Sequence, residues 1–203
     1  AVRSQFLATA QRINYGPLGS AGGRIRRFRG GGRGQPLGAF TADVRGEPIT
    51  VGKIAFNVTI GNKVSGDDVS DITIVSLYDA DGKVLAGPVD GTTTEGDAGG
   101  ATGVSHGEII FTDTVTFPVG VNSYVLKGKV GTDIDNNDTI TASTTPRNFG
   151  TVTGQVTGKT ISVDPNSVLT FSEMTVKTGA LVLSVGTTPI AQNVIKGVAQ
   201  FHF

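Results

Sequence analysis

Cysteine and tryptophan are absent from the 203 residues, methionine occurs once and histidine twice. No disulfide can form and no thiolate metal site can be built. No apolar run reaches the ~18 residues that a membrane-spanning helix requires, so no such span is expected. Lysine and acidic residues are missing from the first 42 positions, which instead carry seven arginines (Arg3, Arg12, Arg24, Arg26, Arg27, Arg29, Arg33). The first acid is Asp43, and the remainder of the chain sets 17 acids against ten bases. A neutral whole is therefore made of a basic beginning and an acidic body, a distribution that suggests one docking on the other, within or between chains. The chain opens on Ala1 instead of Met, which we read as the trace of a removed signal peptide and hence of an extracellular or cell-surface setting.

What is abundant is glycine, at 30 residues, with threonine, valine and isoleucine. That mixture favours strands and turns over helices. The length allows one large or two small domains with a real core. Residues 1–36 read as an extended basic arm. Arg24-Ile25-Arg26-Arg27-Phe28-Arg29, followed by Gly30-Gly31-Gly32-Arg33-Gly34, has no apolar face and cannot fold alone. Within the arm, Phe6, Ala8 and Ala10 alternate, the pattern of a strand. From Leu37 the pattern is β throughout. Strands are expected over 38–44, 49–60, 72–78, 83–86, 108–117, 123–130, 139–143, 149–163, 168–177 and 180–185, with Ile54, Phe56, Val58 and Ile60 forming one face. Asp79-Ala80-Asp81-Gly82 marks a hairpin. Short strands separated by turn signals, without helical periodicity, indicate a sandwich.

The segments Leu77-Tyr78-Asp79-Ala80-Asp81-Gly82-Lys83-Val84-Leu85, Phe117-Pro118-Val119-Gly120, Tyr124 to Val130 and Thr139-Ile140-Thr141-Ala142 resemble those of Ig-like β-sandwich modules, which recur in tandem in secreted bacterial surface and filament proteins. The resemblance covers about residues 37–203. It implies an all-β, Ig-like antiparallel β-sandwich carrying an extended Gly/Arg-rich N-terminal arm, and a structural or adhesive role without catalysis. A lone module with a basic arm departs from the usual many-module chain.

The end of the chain repeats a pattern from its beginning. Val44 is followed by Pro48-Ile49, and Val185 by Pro189-Ile190, each inside a strand–turn–strand text. Either a new module opens there and stops, or two unrelated hairpins coincide. On the first reading the sandwich body covers 37–188, and residues 189–203 form a strand donated to a neighbouring copy, through Ile190, Val194, Val198, Phe201 and Phe203. The arm supplies a second contact, with Arg24, Arg26, Arg27, Phe28, Arg29 and Arg33 pairing with carboxylates of another copy. The expected protein is a subunit of an extracellular filament, tube or surface layer that assembles head-to-tail with other copies of itself. The alternative is a viral shell or nucleic-acid-binding protein, its arginines on phosphates and Phe28 stacked on bases.

Three motifs bear on chemistry. Asp133, Asp135, Asn137 and Asp138 place hard oxygen donors on one loop and could hold calcium, or they form an Asx-rich turn. No other cofactor is expected. Gly103-Val104-Ser105-His106-Gly107 has the letters of a nucleophile elbow, but a strand follows it where the elbow requires a helix. Gly154-Gln155-Val156-Thr157-Gly158-Lys159-Thr160 is one residue short of a phosphate loop and also leads into a strand. With no catalytic constellation left, an enzyme is not expected.

Overall fold

The computed structural model describes residues 5–10, 34–63, 66–94 and 103–177. The first run of strands is β1 (Gln5–Ala10), β2 (Gln35–Arg45), β3 (Ile49–Val51), β4 (Ile54–Lys63), β5 (Ile72–Asp79) and β6 (Val84–Val89). Next come β7 (Thr92–Thr93), β8 (Gly103–Phe111), β9 (Val115–Phe117), β10 (Gly120–Val130) and β11 (Thr139–Thr144). The short strands β12 (Val152–Gly154), β13 (Val163–Asp164), β14 (Leu169–Thr170) and β15 (Met174–Thr175) follow. Single 3-10 turns stand at Val69–Asp71 and Pro146–Asn148. No helix among the described residues is long and apolar enough to cross a membrane.

Two sheets carry the fold, in the orders β13-β1-β2-β10-β5-β6 and β14-β11-β4-β8-β7, and a small third sheet, β12-β3-β9, stands beside them. The alternation that predicts strands also predicts their inner faces. On β4, Ile54, Phe56, Val58 and Ile60 are all buried while Asn57 is exposed. On β8, Ser105, Gly107, Ile109 and Phe111 point inward. The core is aromatic. Phe40 lies 5.3 Å from Tyr124 and 6.4 Å from Phe171, and Phe56 meets Phe111 edge-on at 6.1 Å. Gly38 on β2 makes room for this stack, since a Cβ there would come within 2.1 Å of the Phe171 ring.

The antiparallel sandwich is as the sequence indicates, with one difference in connectivity. In a variable-type immunoglobulin sandwich the order is A-B-E-D against G-F-C-C′. Here β4, β5, β6, β7, β8 and β10 take the places of B, C, C′, D, E and F. β2, however, lies against β10 where G would stand, and β11 lies against β4 where A would stand. The first and last long strands have traded sheets.

Other expectations are corrected locally. The strand expected over 49–60 is two strands, broken at Gly52-Lys53, where Gly52 N–H bonds to Thr151 O and Lys53 O accepts from Gly150. The strand expected over 149–163 is mostly irregular. Its glycines at 150, 154 and 158 admit a turn instead, with Gly158 at φ +64°. Of the expected arm over 1–36, residues 5–10 are a strand within a sheet, and residues 35 and 36 already belong to β2, which starts at Gln35.

Candidate subunit interface

β1 is flanked on both sides. It pairs antiparallel with β2 over six rungs, from Gln5↔Arg45 to Ala10↔Phe40. On its other side it runs parallel to β13, through Phe6↔Val163 and Leu7↔Asp164. Ala8 is buried, as are Phe40, Ala42 and Val44 on β2 and Val163 on β13. The slot thus offers backbone ladders on two edges above an apolar floor, the arrangement by which an added strand is recognised. Residues 11–34 join β1 to β2. Antiparallel neighbours are ordinarily joined by two to five residues, so this connection is far longer than the pairing requires. Near the slot, Asp43 is held by its own strand: Arg45 donates to Asp43 Oδ2 from Nε at 2.9 Å and from Nη2 at 2.7 Å. That hydrogen bond, and the charge beside it, raise the Arg45 pKa further.

Arg24, Arg26, Arg27, Phe28, Arg29 and Arg33 lie outside the described residues, as do Ile190, Val194, Val198, Phe201 and Phe203. The calcium candidates are described. Asp138 is buried, and its Oδ2 accepts from the backbone N–H of Asp135, three residues earlier, at 2.9 Å. Asn137 Oδ1 accepts from Lys177 Nζ, and Asn137 N–H donates to Val176 O. Asp133 and Asp135 are exposed. One oxygen of Asp138 thus serves the loop's own backbone, and the Asn137 oxygen serves a lysine. Among the described residues no three acidic or histidine side chains converge.

Ser105 sits mid-strand on β8, fully buried, while His106 faces the other way and is exposed. The elbow letters therefore code a strand with serine and histidine on opposite faces. The Gly154–Thr160 text does make an anion cradle, and the anion is the protein's own. Glu47 Oε2 accepts from the backbone N–H groups of Val156 at 2.7 Å and Thr157 at 2.9 Å, and Oε1 accepts from Thr157 Oγ1 at 2.7 Å. Gly154 lies directly beneath, where a Cβ would meet the carboxylate at 2.4 Å. The sequence signal was the run of glycines; what it lacked was the distant carboxylate.

The acidic loop between β4 and β5 is folded inward. Asp67 is fully buried and Asp68 nearly so. Lys63 at the end of β4 turns inward, and its Nζ lies 2.8 Å from Asp68 Oδ1, with the lysine side chain wholly inaccessible. Ser105 Oγ donates to the same carboxylate oxygen at 3.4 Å. Two depressions open on the surface. One of about 390 Å³ is lined by Phe149, Val152, Ile161 and Val163 among others, and one of about 190 Å³ by Lys53, Asn57 and Glu108 among others.

No family model matches the chain, and comparison with curated proteins found no match. A solved structure described as "AvmM Catalyzes Macrocyclization in Alchivemycin A Biosynthesis" is similar, at 10% identity and a TM-score of 0.38, over 90% of this chain and 92% of that one. That finding corrects the expectation that an enzyme is excluded, because a chain similar to this one is described as a catalyst. A likeness this distant gives the present protein neither a substrate nor a reaction.

Proposed function

We propose that the protein is a structural subunit that assembles head-to-tail with other copies of itself, in an extracellular or cell-surface setting. The observation that carries this reading is the β1 slot. A strand paired on both edges and buried at Ala8 is joined to its neighbour by residues 11–34, a connection able to reach on the order of 80 Å when extended. The same ladder can then be filled by the β1 of a second copy. A reciprocal exchange closes as a dimer, but when each copy passes its β1 on to the next the contact is heterologous, and heterologous contacts propagate as rings or open filaments. The charge asymmetry of the chain favours the same outcome, since the segment that must cross between copies is the basic one and the body it meets is acidic.

The absence of native cysteine makes the test direct. Ala8 and Ala42 are register partners, both small and both buried. The double variant Ala8→Cys, Ala42→Cys, oxidised after assembly, is expected to give a ladder of covalent multimers on a non-reducing gel. Oxidised monomers alone would mean that β1 pairs within its own chain, and would remove the basis of this reading.

A further inference from the structure

We propose that the depression over Ala55, on the outer face of the β14-β11-β4-β8-β7 sheet, binds a small zwitterion of the amino-acid class. The depression follows from the sequence of one strand. Lys53, Ala55 and Asn57 alternate onto the outer face while Ile54, Phe56 and Val58 are buried. A methyl between two larger side chains leaves a dip. Glu108 stands beside Asn57 as its register partner on β8. The opposite wall comes from the end of β11. Thr144 Oγ1 donates to Ala55 O at 2.7 Å, which seats Thr145 against the strand, and Asn148 N–H bonds back to Thr145 O at 2.9 Å. Gly150 N–H then reaches Lys53 O at 2.8 Å, an approach that a Cβ at 150 would obstruct, since it would come within 2.6 Å of the Lys53 Cβ. Lys53, Ala55, Asn57, Glu108, Thr145 and Asn148 line a space of about 190 Å³.

What the walls leave unused identifies the ligand. Among the described residues, the side chains of Lys53, Asn57, Glu108 and Asn148 have no hydrogen-bond partner, and no ion pair joins Lys53 to Glu108. The two charges belong to opposite ends of the dip. Lys53 precedes Asn57, the neighbour of Glu108, by roughly 13 Å of strand. A ligand with its carboxylate toward Lys53 and its ammonium toward Glu108 makes a charge-assisted hydrogen bond at each end. Asn57 and Asn148 can each donate and accept, and Thr145 adds a hydroxyl. A simple anion would meet Glu108, a simple cation would meet Lys53, and a neutral sugar would leave both charges without a counterpart. Size sets the other limit. The space is roughly six times the ~30 Å³ of one water, room for a single amino acid and not for a polymer. The inference does not depend on assembly, because β1 belongs to the other sheet.

The test is saturation-transfer NMR on the full chain, which detects a weakly bound ligand on a monomer or a polymer alike. The probe is 4-aminobutyrate, with butyrate, butylamine and glucose as its one-charge and neutral counterparts. Transfer is expected to 4-aminobutyrate alone, with a Kd of about 1 mM, ordinary for a ligand of so few atoms. Lys53 and Glu108 are exposed, so Lys53→Met and Glu108→Gln should leave the melting curve unchanged. Each is expected to weaken binding at least about tenfold. Lys53→Glu combined with Glu108→Lys reverses both ends and is expected to restore the transfer. Absence of transfer from wild type overturns the proposal. So does equal transfer to butyrate or butylamine, which would mean a contact with one charge only. Transfer that survives both single variants overturns it too, by placing the ligand elsewhere.

Discussion

Tyr124 puts a phenol where a phenyl ring would pack as well. The residue is 2% exposed, its ring lies 4.9 Å edge-on from Phe117, and its hydroxyl has no hydrogen-bond partner among the described residues. Burial, aided by the nearby charge of Asp79, pushes its pKa up to about 12. The unfolded chain releases that proton near pH ~10, so the folded state holds it more tightly. The stability tied to this group is complete below about pH 10 and is lost as the pH climbs toward about 12. Tyr124→Phe is expected to leave the Tm at neutral pH unchanged or slightly higher, since an unsatisfied buried hydroxyl costs roughly 1–3 kcal/mol. It should also flatten the alkaline loss of stability, read as circular dichroism melts across that window. A clear drop in Tm at neutral pH would mean that the hydroxyl has a partner. Tyr124 was legible in the sequence, because Tyr124, Leu126 and Gly128 alternate inward on one strand. Lys63 was not. A lysine at a strand end beside aspartates reads as solvated, and only the fold-back of Asp68 over it reveals otherwise.

At the scale of elements, local chemistry foretold what local chemistry decides. The β5–β6 hairpin was plain from Asp79-Ala80-Asp81-Gly82. Asp79 Oδ1 accepts from the backbone N–H groups of Asp81 and Lys83, and Gly82 takes φ +82°. The segment 149–163 misled because its shape is set from elsewhere. Glu47, in the turn between β2 and β3, holds the Val156 and Thr157 amides, and Pro48 O accepts from Gln155 N–H. Glu47→Ala would leave two amides and a hydroxyl without this acceptor. We expect a loss of about 2 kcal/mol, which is roughly a 4–8 °C fall in Tm for a chain of this size. The loss should come with faster exchange of the Val156 and Thr157 amide hydrogens while those of β4 stay protected. Equal protection of both amides in the variant would show that the cradle is not what shapes the loop. The β1 slot was half legible. The alternation of Phe6, Ala8 and Ala10 indicated a strand, but nothing in that stretch names β13 as its second neighbour.

For the whole molecule, composition and alternation were enough to indicate two antiparallel sheets, while the traded end strands were beyond their reach. Patterning says which face of a strand is buried; it does not say which sheet the strand joins. That exchange governs how the protein must be made. β2 is finished early in synthesis, yet its ladder partner β10 ends at Val130. β4 needs β8 and then β11, which ends at Thr144, and β1 meets β13 only at Val163. No contiguous stretch of the first half can close either sheet, so an emerging chain must wait with apolar faces uncovered. Pairings this distant in sequence fold over milliseconds to seconds instead of microseconds. A chain ending at Asp138, lacking β11, is expected to show no amide protected beyond local turns. If such a fragment holds a protected β4, the nascent chain reaches its fold before β11 exists. Otherwise the polypeptide is committed to folding late and all at once, and its exposure to misassembly is greatest just before β11 and β13 emerge.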